Sequence, residues 1–253
     1  MILDAFRLTG KVAIVTGCDT GLGQGMTVAL AQAGCDIIGV NRKVPHDTAA
    51  KVEALGRRFF AIQADLSQQV VIADVIAQAV EKFGRIDILV NNAGTIRRED
   101  ALSFTEKDWD DVMNLNLKSL FFLSQAVARQ FIAQGQGGKI INIASMLSFQ
   151  GGIRVPSYTA SKSGVLGITR LLANEWAQHQ INVNAIAPGY FATANTQALR
   201  EDPVRSAEIL GRIPAGRWGE PSDLGGAAVF LASRASDYVQ GAILPVDGGW
   251  QAR

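Results

Sequence analysis

The sequence predicts a single-domain α/β fold: a doubly wound, mainly parallel, seven-stranded sheet with helices on both faces. Short apolar runs alternate with longer segments of helical periodicity, a pattern typical of consecutive β–α–β units. The chain has 253 residues, of which 48% are hydrophobic, so it can bury one large core. Its composition shows no linker or repeat that would divide it. We therefore expect residues 1–253 to fold as one unit.

The first half of the chain supplies four of the expected strands. The apolar run 11–16 predicts a buried strand, and the glycine-rich turn after it leads into a helix at 22–33. Further strands are expected at 35–40, 59–64 and 86–90. A helix is expected at 68–83, where apolar residues recur at roughly the 3.6-residue helical period, namely at Val70, Val71, Val75, Ile76 and Val80.

The second half supplies three more strands and two long helices. Strands are expected at 139–144, 181–187 and 242–246, and helices at 106–134 and 158–179. The segment 190–218, which contains Pro203 and Pro214, lacks a strong period. Two interpretations stay open for this segment: a lid over a substrate site, or an exposed helical excursion.

Composition and charge exclude several classes of function. The formal net charge is +1, from 24 basic and 23 acidic residues, so we expect no general attraction to nucleic acid or to an anionic membrane. The N-terminus lacks the pattern of a secretory signal, and no apolar run approaches the roughly 20 residues that span a bilayer. We therefore expect a soluble, cytoplasmic protein.

The few cysteines and histidines argue against a metal centre and against a disulfide framework. Cys18 and Cys35 form no C-x-x-C pair. His46 and His179 form no ligand cluster, and His179 is expected at the surface near the end of a helix. We expect no metal ion, and we expect Cys18 to be a packing residue rather than a nucleophile.

Gly17, Gly21 and Gly23 form a G-x-x-x-G-x-G turn between the first strand and its helix. Glycines at this place allow a tight turn, and they let backbone N–H groups approach a pyrophosphate at the positive end of the helix. The alternative is a glycine-rich turn without a ligand. The position directly after the first strand favours dinucleotide binding and a Rossmann-type sheet.

The end of the second strand bears on the choice of cofactor. An acidic residue at this place binds the ribose 2′-hydroxyl of NAD, and an arginine binds the 2′-phosphate of NADP. The chain has Asn41 and Arg42 here and no acid. Asn41 could bind a ribose hydroxyl, whereas Arg42 could bind a phosphate or point into solvent. Thr20, within the glycine turn, is compatible with NAD.

Ser145, Tyr158 and Lys162 are candidate catalytic residues. Ser145 follows a predicted strand at the carboxyl edge of the sheet, where open α/β sheets bind ligands. In a helix, Tyr158 and Lys162 would lie one turn apart on one face. We expect the ammonium group to lower the pKa of Tyr158, so that the phenol can exchange a proton with an alcohol or carbonyl oxygen.

Four motifs together resemble the short-chain dehydrogenase/reductase family, and the resemblance extends over essentially the whole chain. They are the T-G-x-x-x-G-x-G turn at 16–23, the N-N-A-G segment at 91–94, Ser145 with the Y-x-x-x-K pair, and the Pro188-Gly189 turn. The resemblance implies a catalytic tetrad of Asn116, Ser145, Tyr158 and Lys162. Asn116 would hold a water in a proton relay to Lys162; its alternative is a polar residue satisfied within its helix.

The resemblance also implies a nicotinamide cofactor, for which we favour NAD, while Arg42 keeps NADP open. Family members are usually tetramers, so a homotetramer is implied as well. Asp65 and Leu66 would meet the adenine, and Lys162 would also bind the nicotinamide ribose. The full implied cofactor set is Gly17, Thr20, Gly21, Leu22, Gly23, Asn41, Arg42, Asp65, Leu66, Asn91, Ala93, Gly94, Tyr158, Lys162, Pro188, Gly189, Phe191 and Thr193.

The segments 92–98 and 148–158 resemble those of family members that act on keto-deoxy sugar acids. This implies interconversion of a ketone and a secondary alcohol on a six-carbon acid. Candidate substrate residues are Arg97, Arg98, Gln150 and Arg154, because a guanidinium group suits a carboxylate. The alternatives are a reductase of another sugar, polyol or ketone, a non-catalytic dinucleotide-binding regulator, and an epimerase or dehydratase of the extended relatives, which the loop spacing and chain length disfavour.

Overall fold

A computed structural model describes residues 1–252, and their strands form one seven-stranded sheet in the order β3-β2-β1-β4-β5-β6-β7. All the neighbouring strands pair in parallel, as expected from the alternation of strands and helices. The strands are β1 Val12–Thr16, β2 Asp36–Asn41, β3 Phe59–Gln63, β4 Ile88–Asn91, β5 Gly138–Ile143, β6 Ile181–Pro188 and β7 Ile243–Val246.

Helices connect the strands and cover both faces of the sheet. They are α1 Gly21–Gln32, α2 His46–Ala54, α3 Ile72–Phe83, α4 Glu106–Met113, α5 Leu120–Gln134, α6 Pro156–Trp176, α7 Gln197–Glu201, α8 Pro203–Arg212 and α9 Gly225–Ala232. Within residues 1–252, none of these helices is long and apolar enough to cross a membrane.

The apolar core consists of two layers, one on each face of the sheet. Successive residues of β1 alternate between them: Ala13 and Val15 pack with α1, α2 and α9, whereas Val12 and Ile14 pack with α3, α5 and α6. This alternation follows from the two-residue period of a strand, and burial on both faces explains why the strands are continuously apolar.

The strand order reverses between β1 and β4, which are neighbours with Val15 opposite Val90. The chain leaves β1 toward β2 and leaves β4 toward β5, so the connections diverge on either side of this pair. A crevice therefore opens at the carboxyl ends of β1 and β4, the place where doubly wound sheets bind ligands. The glycine turn follows β1, and the 91–94 segment follows β4.

Two helices were not predicted, and one predicted helix begins later than expected. In α2 only Thr48 and Val52 are buried, so the sequence lacks an apolar stripe there. The residues of α9 are small or apolar on every side of the helix, so its sequence shows no helical period of apolar and polar residues. The prediction for Val70 was wrong: it is 84% exposed, because residues Gln69–Val71 form a 3-10 turn before α3 begins.

The predicted helix at 106–134 is one continuous helical stretch with a wider turn in its middle. Between α4 and α5, residues Asn114–Ser119 are π-helical. Such single wide turns occur frequently at functional sites. The predicted helix at 158–179 begins earlier, at Pro156, and its last residues Ala177–His179 form a 3-10 turn.

The segment 190–218 contains α7 and α8 and is closed at its base. Its ends pair through a bridge, in which Ala192 N donates to Gly219 O at 2.7 Å and Gly219 N donates to Tyr190 O at 2.9 Å. From this base, α8 folds back so that Ile209 packs with Met146, which follows β5. The segment therefore lies next to the loop that carries Ser145.

Candidate active site

The glycine turn brings the start of α1 against the end of β1. Gly17 and Gly21 have φ values of +65° and +55°, in the left-handed region that favours glycine. A Cβ at Gly23 would lie 2.0 Å from the Gly17 carbonyl oxygen. The turn therefore needs these glycines, and it leaves the N-terminus of α1 beside an open crevice, where it can accept a phosphate.

Thr16 and Asn92 join the glycine turn to the segment after β4. Thr16 Oγ1 accepts hydrogen bonds from Asn92 N at 3.0 Å and Ala93 N at 2.9 Å. The Asn92 amide donates to Thr16 O at 3.0 Å and to Gly17 O at 2.8 Å. Asn92 is a supporting residue that sequence reasoning missed, although the N-N-A-G motif contains it.

Asn91, predicted to line the cofactor, directs its amide into the sheet. Its Nδ2 donates to Ser124 Oγ and Asn142 Oδ1, both at 2.9 Å. Leu66, Asn91 and Ala93 nevertheless share the lining of one small cavity at this edge. Gly94 is exposed in the crevice. Asn91 therefore supports the crevice from below, and the neighbouring residues form its surface.

Ser145 lies just after β5 and is held by the turn that follows. Its Oγ accepts from Leu147 N at 3.1 Å, and its own N–H donates to Ser148 Oγ at 3.2 Å. Ser148 Oγ in turn donates to Lys162 O at 2.6 Å, which connects this turn to α6. No sequence pattern singled out Ser148, because its role depends on a contact with a distant helix.

Tyr158 and Lys162 lie one turn apart on α6, as the spacing predicts. Lys162 Nζ is 5.7 Å from the centre of the Tyr158 ring and donates to Ile143 O at 2.6 Å. Ser145, Tyr158 and Lys162 thus meet at the carboxyl end of β5.

The predicted direction of the Tyr158 pKa shift was wrong. Burial raises the pKa of Tyr158, while a hydrogen bond from Ser145 and the charge of Arg98 lower it by less. Burial also lowers the pKa of Lys162 to about 8. Removal from water disfavours the charged form of each group, so Tyr158 stays protonated at neutral pH.

Asn116 lies in the π turn and is buried, with its amide turned toward neighbouring segments. Its Oδ1 accepts from Thr95 N at 2.8 Å, and its Nδ2 donates to Thr95 O at 2.9 Å and to Ser161 Oγ at 3.3 Å. Its partners lie outside its own helix, contrary to the alternative considered from the sequence. The side chain ties the segment after β4 to α6.

The segment after β6 approaches the glycine turn from the other side. The Gly189 backbone packs against Asp247, and a Cβ there would lie 2.7 Å from the Asp247 Cα. Phe191 is buried against Gly219, and the Thr193 methyl group faces Gly21. Of the predicted residues in this segment, Thr193 therefore contacts the glycine turn directly, and Pro188, Gly189 and Phe191 precede it in the chain.

The predicted substrate arginines differ in their partners. Arg97 pairs with Asp108 at 3.3 Å and Asp111 at 3.1 Å. Arg154 lies 3.5 Å from both Glu99 and Asp100. These carboxylates occupy two of the three guanidinium groups.

Arg98 is placed differently. Its Nη2 donates to Asn195 O at 3.3 Å, in the 190–218 segment, and its charge lowers the pKa of Tyr158. Gln150 accepts from Arg212 Nη2 at 3.3 Å, so it faces α8. Of the four predicted substrate residues, Arg98 is the cation that acts electrostatically on Tyr158.

The family model described as "short chain dehydrogenase" matches residues 11–204. The chain belongs to this family. It is 73% identical over 253 residues, all of both chains, to the 2-dehydro-3-deoxy-D-gluconate 5-dehydrogenase of Escherichia coli (strain K12).

Solved structures agree with this assignment. A putative 2-deoxy-D-gluconate 3-dehydrogenase from Agrobacterium tumefaciens, with bound NADP, is 54% identical with a TM-score of 0.90 and covers 99% of this chain and 100% of its own. A gluconate 5-dehydrogenase from Burkholderia cenocepacia J2315, in complex with NADP and tartrate, is 39% identical with a TM-score of 0.95 and full coverage of both chains. This short-chain dehydrogenase is an NAD(P)-dependent oxidoreductase.

In this short-chain dehydrogenase, Asn41 directs its side-chain amide toward Cys18 of the glycine turn. Its Oδ1 accepts from Cys18 N at 2.7 Å, and its Nδ2 donates to Cys18 Sγ at 3.1 Å. The expectation that Asn41 binds the ribose is therefore not supported by its geometry. Arg42 and Thr20 are exposed at this end of the crevice. Asp65 Oδ1 accepts from Ser67 N at 3.0 Å, which holds the turn after β3.

The cysteine and histidine residues are not among the candidate catalytic residues. Cys18 and Cys35 are buried, and burial raises the pKa of Cys18 to about 11, consistent with a packing role. His46 and His179 are exposed. Among residues 1–252, no group of three or more His, Cys, Asp or Glu side chains is arranged to hold a metal ion.

Proposed function

We propose that the protein interconverts a ketone and a secondary alcohol at C5 of a keto-deoxy sugar acid, 2-keto-3-deoxygluconate, in uronate breakdown. The observation that carries this proposal is the meeting of Ser145, Tyr158 and Lys162 beside the glycine turn. The identity to 2-dehydro-3-deoxy-D-gluconate 5-dehydrogenases supports the substrate class.

The protein's own groups handle the proton. Tyr158, with its raised pKa, carries the hydroxyl proton that goes to a substrate carbonyl oxygen in reduction. Ser145 orients that oxygen, and Lys162 stabilises the tyrosinate left behind. Asn116 supports the relay by fixing the π turn beside α6. A bound nicotinamide supplies or accepts the hydride.

The glycine turn fits a nicotinamide dinucleotide, because the left-handed φ values of Gly17 and Gly21 and the close approach of Gly23 to the Gly17 carbonyl bring the N-terminus of α1 to the crevice, where backbone N–H groups can bind a pyrophosphate. We propose the cofactor set predicted from the sequence without Asn41. The choice between NAD and NADP then depends on Arg42, and the relatives named with bound NADP support testing NADP as well as NAD. Dissociation constants of NADH and NADPH, with and without Arg42→Ala, measure this choice.

We propose that Arg98 binds the substrate carboxylate. Its charge already acts on Tyr158, and among residues 1–252 its guanidinium donates to a backbone carbonyl at 3.3 Å and has no carboxylate partner, whereas Arg97 and Arg154 have carboxylate partners. Arg98→Ala should raise KM for sugar acids by about tenfold or more and change KM for neutral ketones far less, because its effect on Tyr158 is common to both kinds of substrate. Arg154→Ala is the matched control. Equal effects on acids and neutral ketones would exclude carboxylate binding by Arg98.

The experiment that tests the activity is a spectrophotometric panel of sugar acids and their ketones with NADH and NADPH. We expect turnover of 2-keto-3-deoxygluconate or its C5 ketone, abolished in Tyr158→Phe while cofactor affinity stays within about twofold. Faster turnover of a neutral polyol or ketone would favour another short-chain reductase. Cofactor binding without any turnover would indicate a dinucleotide-binding regulator.

Three further features belong to this proposal. We propose that the 190–218 segment acts as a lid, since it lies against both Arg98 and the loop after β5.

We propose a cytoplasmic homotetramer assembled through α5 and α6, which carry exposed Phe122, Ile132 and Leu171. Analytical ultracentrifugation of wild type and Phe122→Ser measures the assembly, and cell fractionation measures the location.

A further inference from the structure

Side chains from outside the glycine turn hold both backbone polar groups of Cys18. Asn41 Oδ1, at the end of β2, accepts from Cys18 N at 2.7 Å. Thr48 Oγ1, in α2, donates to Cys18 O at 2.8 Å. The turn is therefore fixed on its N–H side by one element and on its carbonyl side by another.

Neighbouring contacts extend this arrangement to the next peptide group. Asp19 O lies 3.1 Å from Gln24 Nε2, a donor on α1, and 3.3 Å from Thr48 Oγ1. Gln24 Nε2 also lies 2.8 Å from Thr48 Oγ1. Lys51 Nζ donates to Gln24 Oε1 at 3.0 Å, so α2 supports Gln24 as well.

Burial prevents water from replacing the two central contacts. Cys18 and Thr48 are fully buried, and Asn41 is 6% exposed. Loss of the Thr48 hydroxyl would leave the Cys18 carbonyl without this donor in the interior, which is costly. The turn also has left-handed φ values at Gly17 and Gly21, a conformation that surrounding contacts must maintain.

We propose that Asn41 and Thr48 are positioning residues that hold the Cys18–Asp19 part of the turn in its cofactor-binding conformation. The inference rests on the proposed function, because it assumes that the turn receives the dinucleotide pyrophosphate. It assigns Asn41 a different task from reading the ribose. It also gives α2, which shows no apolar stripe in the sequence, a role in cofactor affinity.

Thr48→Val keeps the side-chain shape but removes the hydroxyl. In this variant the turn populates its binding conformation only part of the time, and the apparent affinity for the cofactor is the intrinsic affinity multiplied by that populated fraction. We expect the dissociation constants of NADH and NADPH to rise equally, by about five- to tenfold, because the pyrophosphate is common to both. At saturating cofactor, kcat should stay within about twofold, and Thr48→Ser should restore binding.

Ser236→Ala is the matched control for general loss of a buried hydroxyl. Ser236 follows α9 and is fully buried, and its Oγ lies 3.1 Å from Leu231 O and 3.0 Å from Ser233 O. We expect Ser236→Ala and Thr48→Val both to lower Tm, and we expect Ser236→Ala to leave cofactor affinity unchanged. Equal weakening of binding in both variants would overturn the positioning role of Thr48.

Fluorescence titration with NADH and NADPH is the readout for every variant. Asn41→Ala should weaken both cofactors by one factor; a changed ratio between them would mean that Asn41 reads the ribose and would overturn its assignment. If the wild-type protein binds dinucleotide and Thr48→Val binds it equally tightly, the inference is refuted but the proposed function is not. A wild type that binds neither cofactor would refute the proposed function and the inference together.

Discussion

Gly23 lies in the first turn of α1, directly against the backbone of the glycine turn. A Cβ at this position would lie 2.0 Å from Gly17 O and 2.5 Å from Asn92 Nδ2. Both distances are far shorter than the 3.4 Å at which ordinary van der Waals contact begins. Because the nearest atom belongs to the backbone, Gly23→Ala can be accommodated only if the turn or the start of α1 moves.

Overpacking of this kind costs about 1–3 kcal/mol. For a protein of this size, that energy corresponds to a fall in Tm of about 2–12 °C. The movement also displaces the N–H groups that face the cofactor, and a displacement near 1 Å can cost about a hundredfold in function. We therefore expect the NADPH dissociation constant of Gly23→Ala to rise at least about tenfold.

Differential scanning fluorimetry and NADPH fluorescence titration measure the two effects. The matched control is Gly226→Ala, in the first turn of α9, where an added Cβ meets no atom within 4 Å. The control should bind NADPH normally and should be neutral or stabilised by up to about 1 kcal/mol. If Gly23→Ala melts and binds like Gly226→Ala, the steric reasoning is refuted.

Three other variants test burial and support in the core and the site. The free energy of unfolding of Lys162→Met should exceed that of the wild type by at most about 3 kcal/mol at pH 7. Burial lowers the pKa of Lys162 from 10.5 to about 8, so keeping this buried side chain charged destabilises the wild type. This difference in unfolding free energy should shrink as pH rises from 8 to 10.5, because in that range the folded wild type has lost the proton that the unfolded chain still binds. A difference that stays constant with pH in urea unfolding would contradict this. Asp87→Asn should cost about 1–3 kcal/mol in urea unfolding, because the buried Asp87 carboxylate lies 3.1 Å from Lys11 and 2.5 Å from Arg85, which are themselves partly exposed. Ser148→Ala breaks the link to the Lys162 carbonyl and should lower kcat about tenfold at unchanged cofactor affinity; an unchanged kcat would remove Ser148 from the supporting residues.

Most of the fold follows from local patterns in the sequence. Strands such as Val12–Thr16 and Ile181–Pro188 are within one residue of their predicted bounds, because burial on both faces makes them continuously apolar. Helix α3 could be recognised by its apolar stripe. Helix α2 could not, because it buries only Thr48 and Val52, and Thr48 binds another loop.

The sequence predicts the relative placement of two candidate site residues, but it does not predict their environment. The spacing of Tyr158 and Lys162 was enough to place them on one face of α6. The direction of the Tyr158 pKa shift was not, because burial outweighs the neighbouring groups and depends on segments far away in the chain. The task of Asn41 likewise depends on which way its amide turns after β2 and the glycine turn meet.

The sequence alone therefore specifies the strand–helix alternation, the glycine turn and the candidate proton-transfer groups, because each depends on residues close together in the chain. Tertiary structure decides which polar groups remain free for a ligand. Arg97, Arg98 and Arg154 are chemically alike, yet two of them meet carboxylates and Arg98 does not share those partners. Pairing and burial depend on contacts between distant segments, so they emerge only when the strands have assembled and the 190–218 segment has folded back over the carboxyl edge of the sheet.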